Sequence, residues 1–234
     1  MSRIAIVAAL EREVRPLVRF WSLSDREHEG RRFRFFEHND AVAVCGGIGP
    51  EAARRAAEAV LALYHPEIIY SVGFAGALDP SLKVGDIVQP SRVVNASDGS
   101  STILRGGAGI LVSFASIASP DQKKKLRESF GAQAVDMEAA SVARAAEARG
   151  IRFAALKTIS DASNFALPPT ERFVAADGSF AEFRFTIFAA MRPWIWPRVI
   201  QLARNSSLAS RKLSPALSNL VKVHLSEVHT SASD

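Results

Sequence analysis

The chain of 234 residues has a single cysteine and only five histidines. One cysteine excludes an internal disulfide framework and suits a reducing, cytoplasmic setting. Cys45 follows Ala41-Val42-Ala43-Val44 and precedes two glycines, so it reads as a strand-end core residue rather than a nucleophile. The histidines, His28, His38, His65, His224 and His229, lack metal-ligand spacing. No cofactor motif stands out. Gly46 to Gly49 is glycine-rich but has neither dinucleotide-binding spacing nor the Lys-Ser/Thr of a phosphate loop. Long apolar runs are missing too. Ile4 to Leu10 is too short for a signal peptide and is followed at once by Glu11-Arg12-Glu13. No stretch reaches the ~20 apolar residues of a membrane span. Acidic residues are absent from Phe183 to Ser226, a stretch that carries Arg184, Arg192, Arg198, Arg204, Arg211, Lys212 and Lys222. The net charge of +5 therefore belongs to the C-terminal region, and the remainder is close to neutral.

With 48% hydrophobic and 23% charged residues, the chain should bury a core. Arg3 to Ala9 reads as a strand leading into a helix from Leu10 to about Trp21. Arg32 to Glu37 and Ala41 to Cys45 read as a hairpin turning at Asn39-Asp40. Pro50 opens an alanine-rich helix that runs to about Tyr64. Ile68 to Val72 is a buried strand, with Gly73-Phe74-Ala75-Gly76 as a loop at its end. Val84 to Asn95 and Gly109 to Phe114 are strand-like, with turns at Ser97 to Ser101 and Gly106-Gly107 between them. Pro120 to Phe130 is a charged helix, Val135 ends a short strand, and Met137 to Arg149 is helical. Phe153 to Ile159 is a further strand. This alternation predicts a three-layer α/β sandwich around a central mixed β-sheet. Residues 1–163 form the expected core, 164–226 a helical region packed on or extending it, and 227–234 a tail.

In such sheets ligands bind at the carboxyl ends of strands. Three of those ends present carboxylates: Glu13, Asp136 with Glu138, and Asp161. Taken singly, each is as well explained by helix capping and the helix dipole. Their order and wording together say more. Val7-Ala8-Ala9-Leu10-Glu11-Arg12-Glu13-Val14, Gly46-Gly47-Ile48-Gly49, Ser71 to Leu78, Leu82 to Val88, Val135 to Ala140 and Ile159-Ser160-Asp161 resemble, in order, segments of the nucleoside phosphorylase superfamily. Within it they are most similar to the methylthioadenosine/S-adenosylhomocysteine nucleosidases.

That resemblance, over residues 3 to 163, implies cleavage of the N-glycosidic bond of a purine nucleoside, adenine being the expected base. It implies Asp161 as general acid toward the base, with a raised pKa. Glu138 is implied to hold the ribose hydroxyls and favour developing positive charge. Met137 either floors the ribose or is a plain core methionine. Asp136, Ala75, Gly76 and Ser160 complete the expected substrate wall. Glu13 is implied to activate water. Phosphate-using relatives tend to carry arginine in that loop and a hydroxyl in the Gly73 loop, where this chain has Phe74. Hydrolysis is the preferred reading. Arg12, with Gly47 and Gly49, forms a possible site for water or for phosphate as co-substrate. No other cofactor is expected, and a homo-oligomer is expected by resemblance.

The chain also departs from that pattern. The stretch from Asp86 to Val135 is short, and Val112 to Ile117 replaces the segment that holds adenine. A wider, more apolar pocket is expected, lined by Phe74, Phe114 and Ile117. Asn164 to Pro169 and Arg192-Pro193-Trp194-Ile195-Trp196-Pro197-Arg198 resemble the hopanoid-associated phosphorylases, which implies phosphorolysis of an adenosyl-lipid as the alternative. Aromatic and basic residues between Phe183 and Lys212 suit an anionic membrane surface. The other reading of that region is a pair of helices packed on the core or a partner subunit. No nucleic-acid reader is visible, and a non-catalytic nucleoside-binding protein is the remaining class.

Overall fold

The apolar run Ile4–Ala8 is buried along its whole length and forms β1. A strand covered on both faces shows no polar alternation. The computed structural model describes residues 4–168, 171–175, 178–181, 185, 188 and 190–231. After β1 come α1 (Glu11–Val18), β2 (Ser22–His28), β3 (Arg31–His38), β4 (Ala41–Cys45), α2 (Pro50–Tyr64) and β5 (Ile68–Ala77). They are followed by β6 (Ile87–Val88), β7 (Arg92–Asn95), β8 (Ser101–Ile103), β9 (Ile110–Ser113), α3 (Pro120–Phe130), β10 (Ala134–Asp136), α4 (Ala139–Glu147) and β11 (Arg152–Asp161). A long helix, α5 (Trp196–Ser231), ends the chain.

These strands make one mixed sheet, ordered β2-β3-β4-β1-β5-β10-β9-β7-β8, with β11 pairing both β5 and β6. One face is covered by α2 and α4, whose small residues Ala53, Ala56, Ala57, Ala145 and Ala146 pack closely on Ala5, Val7, Val44 and Ile69. The opposite face of Ile4, Ile6, Val72 and Leu156 is covered by Val14 and Val18 of α1 and by Leu213, Leu217 and Val221 of α5. The result is the three-layer sandwich expected.

Strand β5 organises the sheet. Along one edge it pairs in parallel with β1 from Ile4↔Ile68 to Val7↔Ser71. Farther along the same edge it pairs antiparallel with β10, at Val135↔Gly76 and Ala134↔Ala77. The carboxyl ends of β1 and β10 therefore face each other across a gap beside Gly73, Phe74 and Ala75. Along its other edge, β5 pairs with β11 from Arg152↔Ile68 to Asp161↔Gly76.

Several expectations change. Gly73 to Gly76 is not a loop: pairing with β11 carries β5 straight through it. Val84 to Asn95 divides into β6 and β7, because Gln89-Pro90 interrupts the ladder. Strand β2 escaped notice because Ser22–His28 is polar and largely exposed, an edge strand with no apolar face to read. The short strand β8 escaped in the same way.

Residues 185, 188 and 190 are helical, and after them the C-terminal region holds one long helix, which continues past residue 226. Its buried residues Ala209, Leu213, Leu217 and Val221 recur every fourth position, so one stripe faces the sheet. Before it, Phe173 packs on Phe185 and Phe188 with ring centroids 5.4 and 5.1 Å apart. Phe185 and Phe188 thus serve an internal cluster rather than a lipid-facing surface. Pro169, Phe183, Arg184 and Ile187 lie outside the described residues. Burial pushes the Cys45 thiol up to about 12. It stays protonated at neutral pH and offers no nucleophile.

Leu213 and Leu217 are fully buried. Leu213→Ala or Leu217→Ala should each cost about 2–5 kcal/mol, read as a lower urea midpoint. Ile200→Ala, on the exposed start of the same helix, should change stability by less than ~0.5 kcal/mol.

Candidate active site

The gap between β1 and β10 opens into a cavity of about 760 Å3. Glu13, Glu138 and Asp161 all line it, each from a different element, and all three are buried.

Glu13 sits in the first turn of α1. Its Oε2 accepts the backbone N–H groups of Ala9 and Leu10 at 3.2 and 3.4 Å. The same residue therefore caps the helix and faces the cavity, so the two readings of the sequence are not alternatives. A side chain at Gly73 would put Cβ 2.6 Å from Glu13 Oε2, and Gly73 has a φ of 141°. Glycine is required there by both contact and conformation. Burial, and next the charge of Glu138, push the Glu13 carboxyl up from 4.5 to about 7.

Glu138 ends the loop before α4. Its Oε1 accepts the Gly49 N–H at 2.9 Å, and its Oε2 accepts the Met137 N–H at 3.2 Å. Burial raises its pKa, followed by the nearby charge of Asp136.

Asp161 follows a β-bulge in β11, where the register to β5 slips between Ile159 and Asp161. Bulges re-aim side chains next to sites, and here Ser160 and Asp161 both reach the cavity. Ser160 Oγ donates to Asp161 Oδ1 at 2.6 Å. Lys123 Nζ donates to Asp161 Oδ2 and, at 2.8 Å, to the carbonyl of Ala162.

Met137, Phe74, Ala75, Gly76, Ile117 and Arg12 also line the cavity, as expected. Four expectations are corrected. Phe114 is not part of the cavity lining and packs instead against the interior cluster that holds Leu78, Val94, Val112 and Leu126. Gly47 is closed off, because a Cβ there would meet the Gly178 backbone at 2.9 Å. The Gly49 N–H is used by Glu138 and is not free for phosphate or water. Asp136 reaches the wall, but its oxygens are occupied. Oδ1 accepts from Ser113 at 2.6 Å, while Oδ2 accepts from Ala139 N–H and Lys157 Nζ, both at 2.9 Å. Asp136 is an anchor for the loop that carries Glu138, not a group for substrate.

Two lysines were missed. Lys157 lies mid-strand in β11 and is fully buried. Its pKa is raised by Asp136 first among its charged neighbours, then by Glu138, against the opposing effect of burial. Losing one partner of such a buried pair costs about 3–5 kcal/mol. Lys123 stood inside the run Lys123-Lys124-Lys125, which reads as a solvated face. Its signal was position: it shares the helix stripe of Leu126, and those two are the buried residues of α3.

The far side of the cavity is supplied by the C-terminal region: Leu167, Val174, Phe180, Val199, Leu202 and Ala203. This part of the lining is mixed, because Ser206, Ser207, Ser210 and Arg211 follow on the same helix, while Glu13, Lys123, Glu138 and Asp161 supply the buried charges elsewhere in the cavity.

A parallel-and-antiparallel sheet with helices on both faces and an acidic cavity at its central fork defines an α/β protein whose site is built for acid–base chemistry. The model of the phosphorylase superfamily matches residues 3–116 and 108–190, and the chain belongs to that family. It is 27% identical over 219 residues to the 5′-methylthioadenosine/S-adenosylhomocysteine nucleosidase of Staphylococcus epidermidis, covering 77% of this chain and 91% of that protein. The corresponding protein of a Marinomonas strain is 33% identical over 99 residues, 41% of this chain and 42% of that one. The fold is similar to that of the Neisseria meningitidis nucleosidase in complex with methylthio-immucillin-A, with a TM-score of 0.72 at 17% identity over 95% of this chain and all of that one. It is similar also to futalosine hydrolase of Helicobacter pylori, with a TM-score of 0.70 at 17% identity over 94% and 97% of the two chains.

The raised pKa of Glu13 has a consequence for stability. The folded protein holds that proton more tightly than the unfolded chain, so stability falls as pH rises from 4.5 through about 7. Above that range the loss amounts to about 3 kcal/mol at 1.36 kcal/mol per pH unit. Glu13→Gln removes the charge and keeps an acceptor for the cap. It should raise the melting temperature at pH 8 and leave it unchanged at pH 4, as read by calorimetry.

Proposed function

We propose that this chain hydrolyses the N-glycosidic bond of an adenine nucleoside that carries a 5′-substituent. One observation carries the reading: a buried carboxyl with a pKa of about 7, Glu13, shares one cavity with Glu138 and Asp161. A base poised near working pH is suited to taking a proton from water. The bond breaks through an oxocarbenium-like state, which Glu13 and Glu138 stabilise by their charge. Glu138 accepts the ribose hydroxyls, Met137 lies against the sugar, and Asp161 delivers a proton to the leaving base. Phe74 and Ile117 suit the flat faces of a purine.

Water is favoured over phosphate as the nucleophile. The Gly49 N–H is taken up by Glu138, and Gly47 is covered by Gly178. Arg12 remains in the wall, but its guanidinium lies 5.8 Å from the Phe180 ring centroid. The similar proteins named above are nucleosidases and a hydrolase, which supports the same choice. Leu167, Val174, Val199 and Leu202 in the lining favour a 5′-group with a sizeable apolar part.

The test is adenine release from a series of 5′-substituted adenosines, each with and without phosphate. Equal rates without phosphate are expected; turnover that requires phosphate overturns the hydrolytic reading. Asp161→Asn and Glu13→Gln should each lower kcat by about 10²–10⁴-fold in folded protein. The rate should climb with pH through about 7, as Glu13 loses its proton.

A second proposal concerns location. Met191, Trp194, Trp196 and Ile200 are large apolar side chains exposed around the start of α5, and Trp194 is 73% exposed. Arg192, Arg198 and Arg204 accompany them with no acid nearby in sequence. Aromatic and basic side chains together fit an anionic bilayer surface. Among the described residues no helix is long and apolar enough to cross a membrane, so the contact is peripheral. Flotation with phosphatidylglycerol vesicles should carry the protein upward, and Trp194→Ala with Trp196→Ala should abolish this. Flotation unchanged by both substitutions, or no binding at all, ends the proposal. Light scattering on the same samples tests the proposed homo-oligomer.

A further inference from the structure

We propose that Lys123 is a positioning residue for the reaction, which holds Asp161 toward the base and restores the proton that Asp161 gives away. The inference rests on the nucleosidase reading above. Lys123 is 2% exposed, although lysine is almost never buried without a partner. Its ammonium donates to Asp161 Oδ2 and to the Ala162 carbonyl, and it lines the same cavity. A plain core position on α3 would have been filled more cheaply by leucine.

The surroundings are built to hold this pair. The first turn of α3 is fixed by Ser119, whose hydroxyl accepts the Gln122 N–H at 3.3 Å while Gln122 Oε1 accepts the Ser119 N–H at 2.8 Å. That capping box sets the residue immediately after it, Lys123. Gly76 leaves the space: a Cβ there would lie 3.0 Å from Asp161 Oδ2 and 3.3 Å from Lys123 Cε. Ser160 holds the other oxygen of Asp161. The other buried lysine, Lys157, is bound to Asp136 at 2.9 Å and serves the loop instead.

The proton count closes. A proton passes from the Lys123 ammonium to Asp161 and from Asp161 to a ring nitrogen of the base. The bond from the sugar carbon to the base breaks, and its electron pair leaves with the base. Water adds its oxygen to the sugar carbon and gives a proton to Glu13. Lys123 then regains a proton and Glu13 loses one, through solvent.

The experiment compares two leaving groups. Adenine needs protonation to depart, whereas the nitrophenolate of a 4-nitrophenyl riboside leaves as a stable anion. Lys123→Met should lower kcat on the adenine nucleoside by about 10²–10³-fold, within the range of general acid catalysis, and leave the aryl riboside near the wild-type rate. Lys123→Arg should recover part of the loss, and the exposed neighbour Lys124→Met should match wild type on both. Equal losses on both substrates, or no loss on adenine nucleoside, overturns the inference while the nucleosidase reading stands. Should Lys123→Met fail to fold, or the wild type reject the aryl riboside, Lys123→Ala with added ethylamine decides. Rescue supports the role, and its absence overturns it. A wild type inactive on every nucleoside removes the function and this inference together.

Discussion

Everything in this structure turns on how strand β5 shares one edge between two partners of opposite direction. β1 pairs with its first half in parallel, and β10 pairs with its end antiparallel. Two carboxyl ends therefore meet head-on, and neither covers the backbone around Gly73. A strand edge left unpaired in a core is normally a liability. Here the helices that start at both ends bring Glu13 and Glu138 to the gap. β11, on the other edge, closes the site with Lys157 and Asp161. The cavity is thus a consequence of topology before it is a consequence of any side chain.

Charge balance is the second constraint. Four carboxylates, from Glu13, Asp136, Glu138 and Asp161, lie buried together, and two buried lysines answer two of them. Asp136 and Asp161 are bound by Lys157 and Lys123. Among the described residues, Glu13 and Glu138 are held by backbone N–H groups, and burial raises the pKa of both. The division is useful chemically. The lysine-bound pair gives a fixed anchor and a fixed acid. The unanswered pair gives a negative field where a sugar cation would form, at a cost in stability that grows with pH.

The C-terminal helix joins these two constraints to specificity. Its Leu213-Leu217-Val221 stripe completes the core, while Val199, Leu202 and Ala203, about three to four turns before Leu213, line the cavity together with Ser206, Ser207, Ser210 and Arg211. One helix therefore supports the sheet at one end and shapes the ligand chamber at the other. The buried charges and the mixed lining from this helix thus meet in one chamber.

Much of this was legible beforehand, and the limits are physical. The uninterrupted apolar runs, the alanine-rich helices and the proline and glycine breaks are local signals, so β1, β4, α2, α3 and the hairpin could be read with nearly the right ends. The acidic strand ends could be recognised because their wording resembled a family, and all three reach one cavity. Polar edge strands such as β2 carry no periodic signal, and a glycine-rich segment such as Gly73 to Gly76 reads as loop or strand alike until a neighbour pairs with it. The Leu126 stripe sets Lys123 apart from Lys124 and Lys125, but nothing in the text of the sequence pairs it with Asp161, or gives Asp136 a lysine partner and Glu138 two backbone N–H groups. Those assignments depend on which groups distant in the chain come within hydrogen-bonding distance. Composition and local pattern settle which segments can be buried, while the fork in β5 alone decides which buried charges face each other.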